Sequence, residues 1–255
     1  MRNVLTIFNK ELKSYFSSPV AYGLMAFFAV LSGYFFYIYV AVFVTQSVQS
    51  QMMGRGGPMD VNEWVVRPAL MNISVIGLFL IPLITMRSFA EEKSRGTIEL
   101  LSTSPVRDFE IILGKWLASL ALYAAILAIS FLNVSILFLY GKPDISPILT
   151  GYLGLLLQGG TLLAIGTFIS TLTRNQIIAA FSTFAICLIL WVLDWVSSYE
   201  TAAWAKVVAY MSVITHFEPF AKGVIDTKDV IFYLTMIFFG LFLTARSLES
   251  LRWRA

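Results

Sequence analysis

Uncharged apolar runs decide what this chain can fold into. Residues 20–44, 116–140 and 148–173 each pass through about 25 positions without one charged side chain, and residues 68–86 add a fourth run. A helix needs roughly 20 mostly apolar residues to cross a bilayer. Two shorter runs, 177–193 and 230–245, follow the fourth. Only 13% of the residues are charged, against about 25% in soluble domains. With 58% hydrophobic residues and a mean hydropathy of +0.79, the chain lacks the polar side chains to cover itself in water. The pattern predicts an all-α membrane protein with six transmembrane helices in a single transmembrane domain over residues 1–255. The spans fall at about 20–44, 68–86, 116–140, 148–173, 177–196 and 229–246. The last two are expected to be short.

Six crossings place both termini on one side. If that side is inner, its segments hold 12 of the Lys and Arg residues and the outer segments hold 6. The positive-inside rule then puts both termini in the cytoplasm. Residues 1–18 carry Val4, Leu5, Ile7, Phe8, Leu12, Tyr15 and Phe16 mainly on one helical face, with Arg2, Lys10 and Lys13 available to head groups. They predict an interfacial helix that turns near Ser18-Pro19 into a retained first span. Residues 45–67, with Gly54, Gly56, Gly57 and Pro58, suggest a flexible outer loop. Residues 197–228 hold Trp204, Tyr210, Phe217 and Phe220, and suggest short interfacial or re-entrant outer helices.

The densest charge lies in the inner loop, residues 87–115, which has the grammar of folded structure. Ser88 and Glu91 have the spacing of a capping box. Gly96 can end the helix they start. Thr97 can open a second, with Glu99 in its first turn and Leu100 and Leu101 as its apolar contact. Ser104-Pro105 stops that helix, and Asp108 can start a third leading into the next span. A short cytoplasmic helix with exposed carboxylates and two leucines suits the docking of another protein. A solvated loop that only positions the flanking spans is the alternative.

At these residues the chain resembles ABC-2-type transporter permeases. Glu91, Gly96, Thr97, Glu99, Leu100, Leu101, Pro105, Val106 and Gly114-Lys115 match the loop of that family. The resemblance implies that this loop includes a coupling helix seated in a cleft of a cytoplasmic ATPase. Glu91, Glu92, Gly96, Thr97, Glu99, Leu100, Leu101 and Pro105 would then be ATPase-coupling residues. It implies an ABC ATPase subunit in two copies, carrying the ATP and magnesium, and a second permease copy or a related membrane subunit. It also implies a bacterial inner-membrane location. The stretches Thr85-Met86-Arg87-Ser88-Phe89 and Lys10-Glu11-Leu12-Lys13-Ser14-Tyr15-Phe16 are most similar to the gliding-motility-type subfamily.

The chain carries no phosphate-binding G-x(4)-G-K-[ST] loop: Gly114-Lys115 runs into Trp116, and Gly141-Lys142 into Pro143. It holds no cofactor of its own by this reading, and is not itself an enzyme. A net charge of +3 gives no case for nucleic acid. Cys187, the one cysteine, sits in an apolar run and suits packing. Ion-coupled carriers place carboxylates or histidine near the midplane, and these spans almost lack them. Asp194, between Trp191 and Trp195, suits a helix end at the interface, and His216 beside Glu218 has no nucleophile with it. Asn133, Gln158 and Thr161 either line a pathway or bond across helices. Gly151, Gly154, Gly159, Gly160 and Gly166 allow close helix approach, within the bundle or at a dimer seam. The leading expectation is a permease subunit that moves a substrate, by export, with ATP hydrolysed on a separate subunit. The alternatives are a scaffold or mechanical subunit of an envelope complex, and an ATP-independent channel or carrier.

Overall fold

The computed structural model describes residues 2–53, 59–97, 106–141, 143–199 and 203–252, and these hold helices and no strand. Helix α1 spans Arg2–Ser17, and α2 spans Pro19–Met52. A π-helical turn, Asn62–Val66, leads directly into α3, Arg67–Thr85. The short α4, Ala90–Ser94, follows. Helix α5 spans Asp108–Ser135, and a four-residue helix α6, Leu137–Tyr140, continues it. Then come α7, Ile145–Leu172, and α8, Gln176–Tyr199. Two short helices, α9 at Ala203–Tyr210 and α10 at Val213–Ala221, precede α11, Thr227–Arg252. Six helical stretches are long and apolar enough to cross a membrane, as the uncharged runs predict.

The boundaries differ from the runs in instructive ways. Helix α2 continues eight residues past Val44, because residues 45–52 contain neither glycine nor proline. Its 34 residues extend about 51 Å, against a hydrocarbon core of about 30 Å. The span expected to be short at 177–196 is a 24-residue helix, since Asp194 interrupts the uncharged run without interrupting the helix. Asp194 Oδ1 accepts from the Thr215 hydroxyl at 3.0 Å. Likewise α11 runs for 26 residues, beyond the 229–246 window. At Ser18-Pro19 the predicted turn is present: the Ser18 hydroxyl caps Val20 N–H and proline takes the first helical position.

Helix α7 is the centre of the bundle. It packs most extensively on α11 and α3, and also on α5, α8 and α10. Its glycines make that possible. A Cβ at Gly159 would stand 2.1 Å from the Tyr123 ring, and one at Gly166 would stand 2.4 Å from Thr85 Oγ1. Gly151 faces Leu70 and Gly154 faces Phe220 in the same way. The small residues of this helix are therefore used inside the chain. Helix α10 is also core: Phe217 and Phe220 are fully buried, and the Thr150 hydroxyl donates to Phe220 O at 2.8 Å. Helix α9 keeps Trp204, Val207 and Tyr210 exposed.

Candidate functional site

One end of the bundle gathers α1, α4, the start of α5 and the end of α7. What draws them together is Lys115, buried to 4% exposure near the beginning of α5. An ammonium has three N–H donors and no acceptor. Lys115 Nζ spends them on Glu11 Oε1 at 3.1 Å, Ser88 O at 2.8 Å and Glu92 Oε1 at 2.8 Å. It also lies 5.2 Å from the centre of the Phe89 ring. One cation thus ties α1, the chain leaving α3, the short helix α4 and the start of α5. A second link lies beside it. Tyr15 of α1 shares a 3.0 Å hydrogen bond with Ser119 of α5 and donates to Ile84 O at 3.3 Å. Burial pushes the Tyr15 phenol up from its ordinary pKa, so it stays a neutral hydroxyl.

The short helix α4 depends on α7 for its start. The sequence suggests a Ser88 cap, but no side chain of its own caps this helix. The Ser170 hydroxyl does so instead, accepting from Phe89 N–H and Ala90 N–H at 3.0 Å each. Lys93 Nζ reaches Thr171 O, a second link to the same turn. At its other end Gly96 takes φ +71, as predicted, and Thr97 N–H bonds back to Glu92 O at 3.0 Å. Arg95 pairs with Glu91 at 2.6 Å on the exposed side. The third predicted helix begins at Asp108, with the Glu110 carboxylate accepting from Arg107 N–H and from Asn3 of α1.

Between α1 and α4 lies an open cleft of about 460 Å³, lined by Lys10, Glu11, Arg87, Glu91, Glu92 and Arg95 among others. Arg87 Nε and Glu92 Oε2 are buried there with no hydrogen-bond partner among the described residues. Glu91, Glu92 and Thr97 therefore stand together at one cleft, and Gly96 ends the helix beside it. Glu99, Leu100, Leu101 and Pro105 lie outside the described residues. The candidate pathway residues sit apart from this site: Gln158 and Thr161 are one turn apart on α7, and Asn133 lies near the end of α5. Gln158, 2% exposed, exchanges hydrogen bonds with Ser74 at 2.8 and 2.9 Å. Thr161 donates to Leu157 O and Tyr233 O. Asn133 lines a small pocket with Ser32, Phe35 and Asn72. Among the described residues, no three His, Cys, Asp or Glu side chains gather as metal ligands.

Residues 5–227 match the profile described as "ABC-2 family transporter protein". The chain belongs to the ABC-2 transporter family. Two curated relatives, both named "Probable multidrug ABC transporter permease YbhR", come from Escherichia coli strain K12 and Escherichia coli O157:H7. Each is 27% identical over 165 residues, which cover 64% of this chain and 44% of the relative. The chain therefore spans less than half the length of these curated relatives. Family membership and six candidate spans make this chain a multi-pass membrane protein of the ABC-2 family.

Sequence reasoning named Gly114-Lys115 only as part of a motif and missed the clasp itself. A lone lysine at the mouth of an apolar run was the available signal. Glu11 and Ser170 gave none, since each acts across more than 80 residues of chain.

Proposed function

We propose that this ABC-2 permease docks a separate ABC ATPase at the Lys115 end of the bundle and uses its ATP hydrolysis to export a substrate. The observation that carries this reading is the clasp. Lys115 fixes both flanks of residues 98–105 against α1, so a push on that segment is transmitted to α5, and through the Ser170 cap to α7. The adjoining cleft is lined by Lys10, Glu11, Arg87, Glu91, Glu92 and Arg95, charged side chains suited to a polar partner. In this reading Glu91, Glu92, Gly96, Thr97, Glu99, Leu100, Leu101 and Pro105 couple and do no chemistry. ATP and magnesium belong to the ATPase. Two ATPase subunits serve two membrane subunits, the second being another copy or a related chain. The Lys115 end and both termini face the cytoplasm of a bacterial inner membrane, in accord with the charge distribution. The name of the curated relatives makes small-molecule drugs one substrate class to assay. The gliding-motility-type stretches make envelope assembly another setting to examine.

Purification in mild detergent tests the reading. An ATPase subunit should co-purify in equal amounts, and Glu99→Lys or Leu100→Asp should abolish ATPase stimulation while membrane insertion persists. Stimulation and transport that survive both substitutions would remove the loop from the coupling role.

A further inference from the structure

At the opposite end of the bundle the chain's one histidine is buried among aromatic rings. His216 Nδ1 lies 2.6 Å from Asp229 Oδ1, and its Nε2 lies 2.9 Å from the Tyr210 carbonyl oxygen. The two side chains are 3% and 1% exposed. A carbonyl oxygen only accepts, and so does an ionised carboxylate. A neutral imidazole has a single N–H. It can satisfy one of these neighbours, and then sets a lone pair against the other at hydrogen-bond distance. The contacts are both satisfied only when the pair holds one more proton. That proton makes either an imidazolium facing a carboxylate or an imidazole facing a carboxylic acid.

Three features of the surroundings suit the imidazolium, while Asp229 Oδ2 is buried with no hydrogen-bond partner among the described residues. Tyr210 is the last residue of α9, where the helix dipole is negative. Asp229 is in the first turn of α11, where the dipole favours an anion. The Phe232 ring stacks on the imidazole with centroids 3.8 Å apart, offering its π-face to a cation. The other ionisable groups around the site are engaged elsewhere. The Tyr233 hydroxyl donates to Val213 O, Lys228 pairs with Asp226, Glu218 pairs with Lys222 and Arg67, and Asp194 accepts from Thr215. The Tyr210 ring stands edge-on at 4.8 Å.

We propose that His216 and Asp229 form a proton-binding site that latches α9 and α10 onto α11. With the proton bound, three helices share one charge-assisted network. When the proton leaves, one of the two contacts becomes acceptor against acceptor, and the latch loosens. The stability it supplies is present at low pH and is lost as pH rises. This inference stands apart from the transport reading.

A single histidine makes the test direct. The full chain, purified through a histidine-free tag, is labelled with nitrogen-15 histidine and followed by NMR from about pH 5.5 to about pH 9, which brackets histidine titration. Two protonated ring nitrogens are expected at the acid end. The spectrum should change as pH rises, together with a fall in unfolding temperature. Asp229→Asn supplies the control. Its amide N–H can donate to Nδ1 while Nε2–H keeps Tyr210 O, so both contacts are satisfied without the extra proton. That variant should show a neutral imidazole throughout and lose the matching part of the pH dependence. A neutral imidazole in the wild type at the acid end would overturn the proposal. So would an Asp229→Asn variant that titrates like the wild type. If that variant does not fold, the wild-type spectrum decides alone.

Discussion

Replacing Lys115 by methionine keeps the unbranched stem, one atom shorter, and removes its charge. Two carboxylates, Glu11 and Glu92, are then left without the ammonium 3.1 and 2.8 Å away, and Ser88 O loses its donor. Breaking a buried ion pair from one side costs about 3–5 kcal/mol. Glu11 and Glu92 side chains retain 18% and 19% exposure, so water can reach them in part, and the lower end applies. A loss of about 3 kcal/mol lowers the folded-to-unfolded ratio by more than about a hundredfold. Equilibrium unfolding in mixed detergent micelles measures it, with Trp116 beside the site as a fluorescent reporter. Adding Glu11→Gln and Glu92→Gln to Lys115→Met should recover most of the loss, since a fully neutral cluster no longer buries unpaired charge. A loss below about 1 kcal/mol, the range of exposed pairs, would refute the clasp. Failure of the neutral triple variant to recover would show that the damage was steric.

Ser170→Ala should cost about 1–2 kcal/mol as a lost cap, and hydrogen exchange should show the Phe89 and Ala90 amides opening faster than those of α3. Gly159→Ala drives a Cβ into the Tyr123 ring and should destabilise by at least about 1–3 kcal/mol in the same unfolding assay. Tyr123→Leu should relieve part of it. Glu218 is held below the usual carboxylate range first by its hydrogen bond to Lys222, then by Lys222 and Arg67 charge. Its contribution should be full above the ordinary glutamate range and fade as pH falls through the lowered value. Glu218→Gln should remove that acid-side dependence, and the effect should be small because the side chain is 45% exposed.

The spans were legible because lipid imposes one rule along the whole chain, and uncharged runs record it. Gly96 was legible because a positive φ excludes most other residues. Lengths were less so. Thr45, Gln46 and Gln49 are polar enough to look like loop, yet nothing in them stops the helix begun at Pro19. The site divides in the same manner. Glu91 and Glu92 stand out by local charge density, whereas Glu11, Ser170 and the His216–Asp229 pair act through partners that only the folded bundle brings near. Ser88 shows the converse failure: a good local cap signal lost to a hydroxyl on α7.

Helix α7 also bears on how the chain assembles in the membrane. It is the least hydropathic of the six candidate spans and one of the most buried. Left alone in lipid, its bare glycine backbone at Gly151, Gly154, Gly159 and Gly166 would meet acyl chains that fill those notches poorly. Its partners arrive on both sides in time, α3 and α5 before it during synthesis, α10 and α11 after it. The earlier pair supplies Leu70, Thr85 and Tyr123, while Phe220 and Ile237 come only with the later one. A nascent chain stalled before Thr227 should therefore hold α7 half-clad, with the Gly160–Ile237 and Ala164–Gly240 contacts still unmade, and would be the stage most open to quality-control proteolysis.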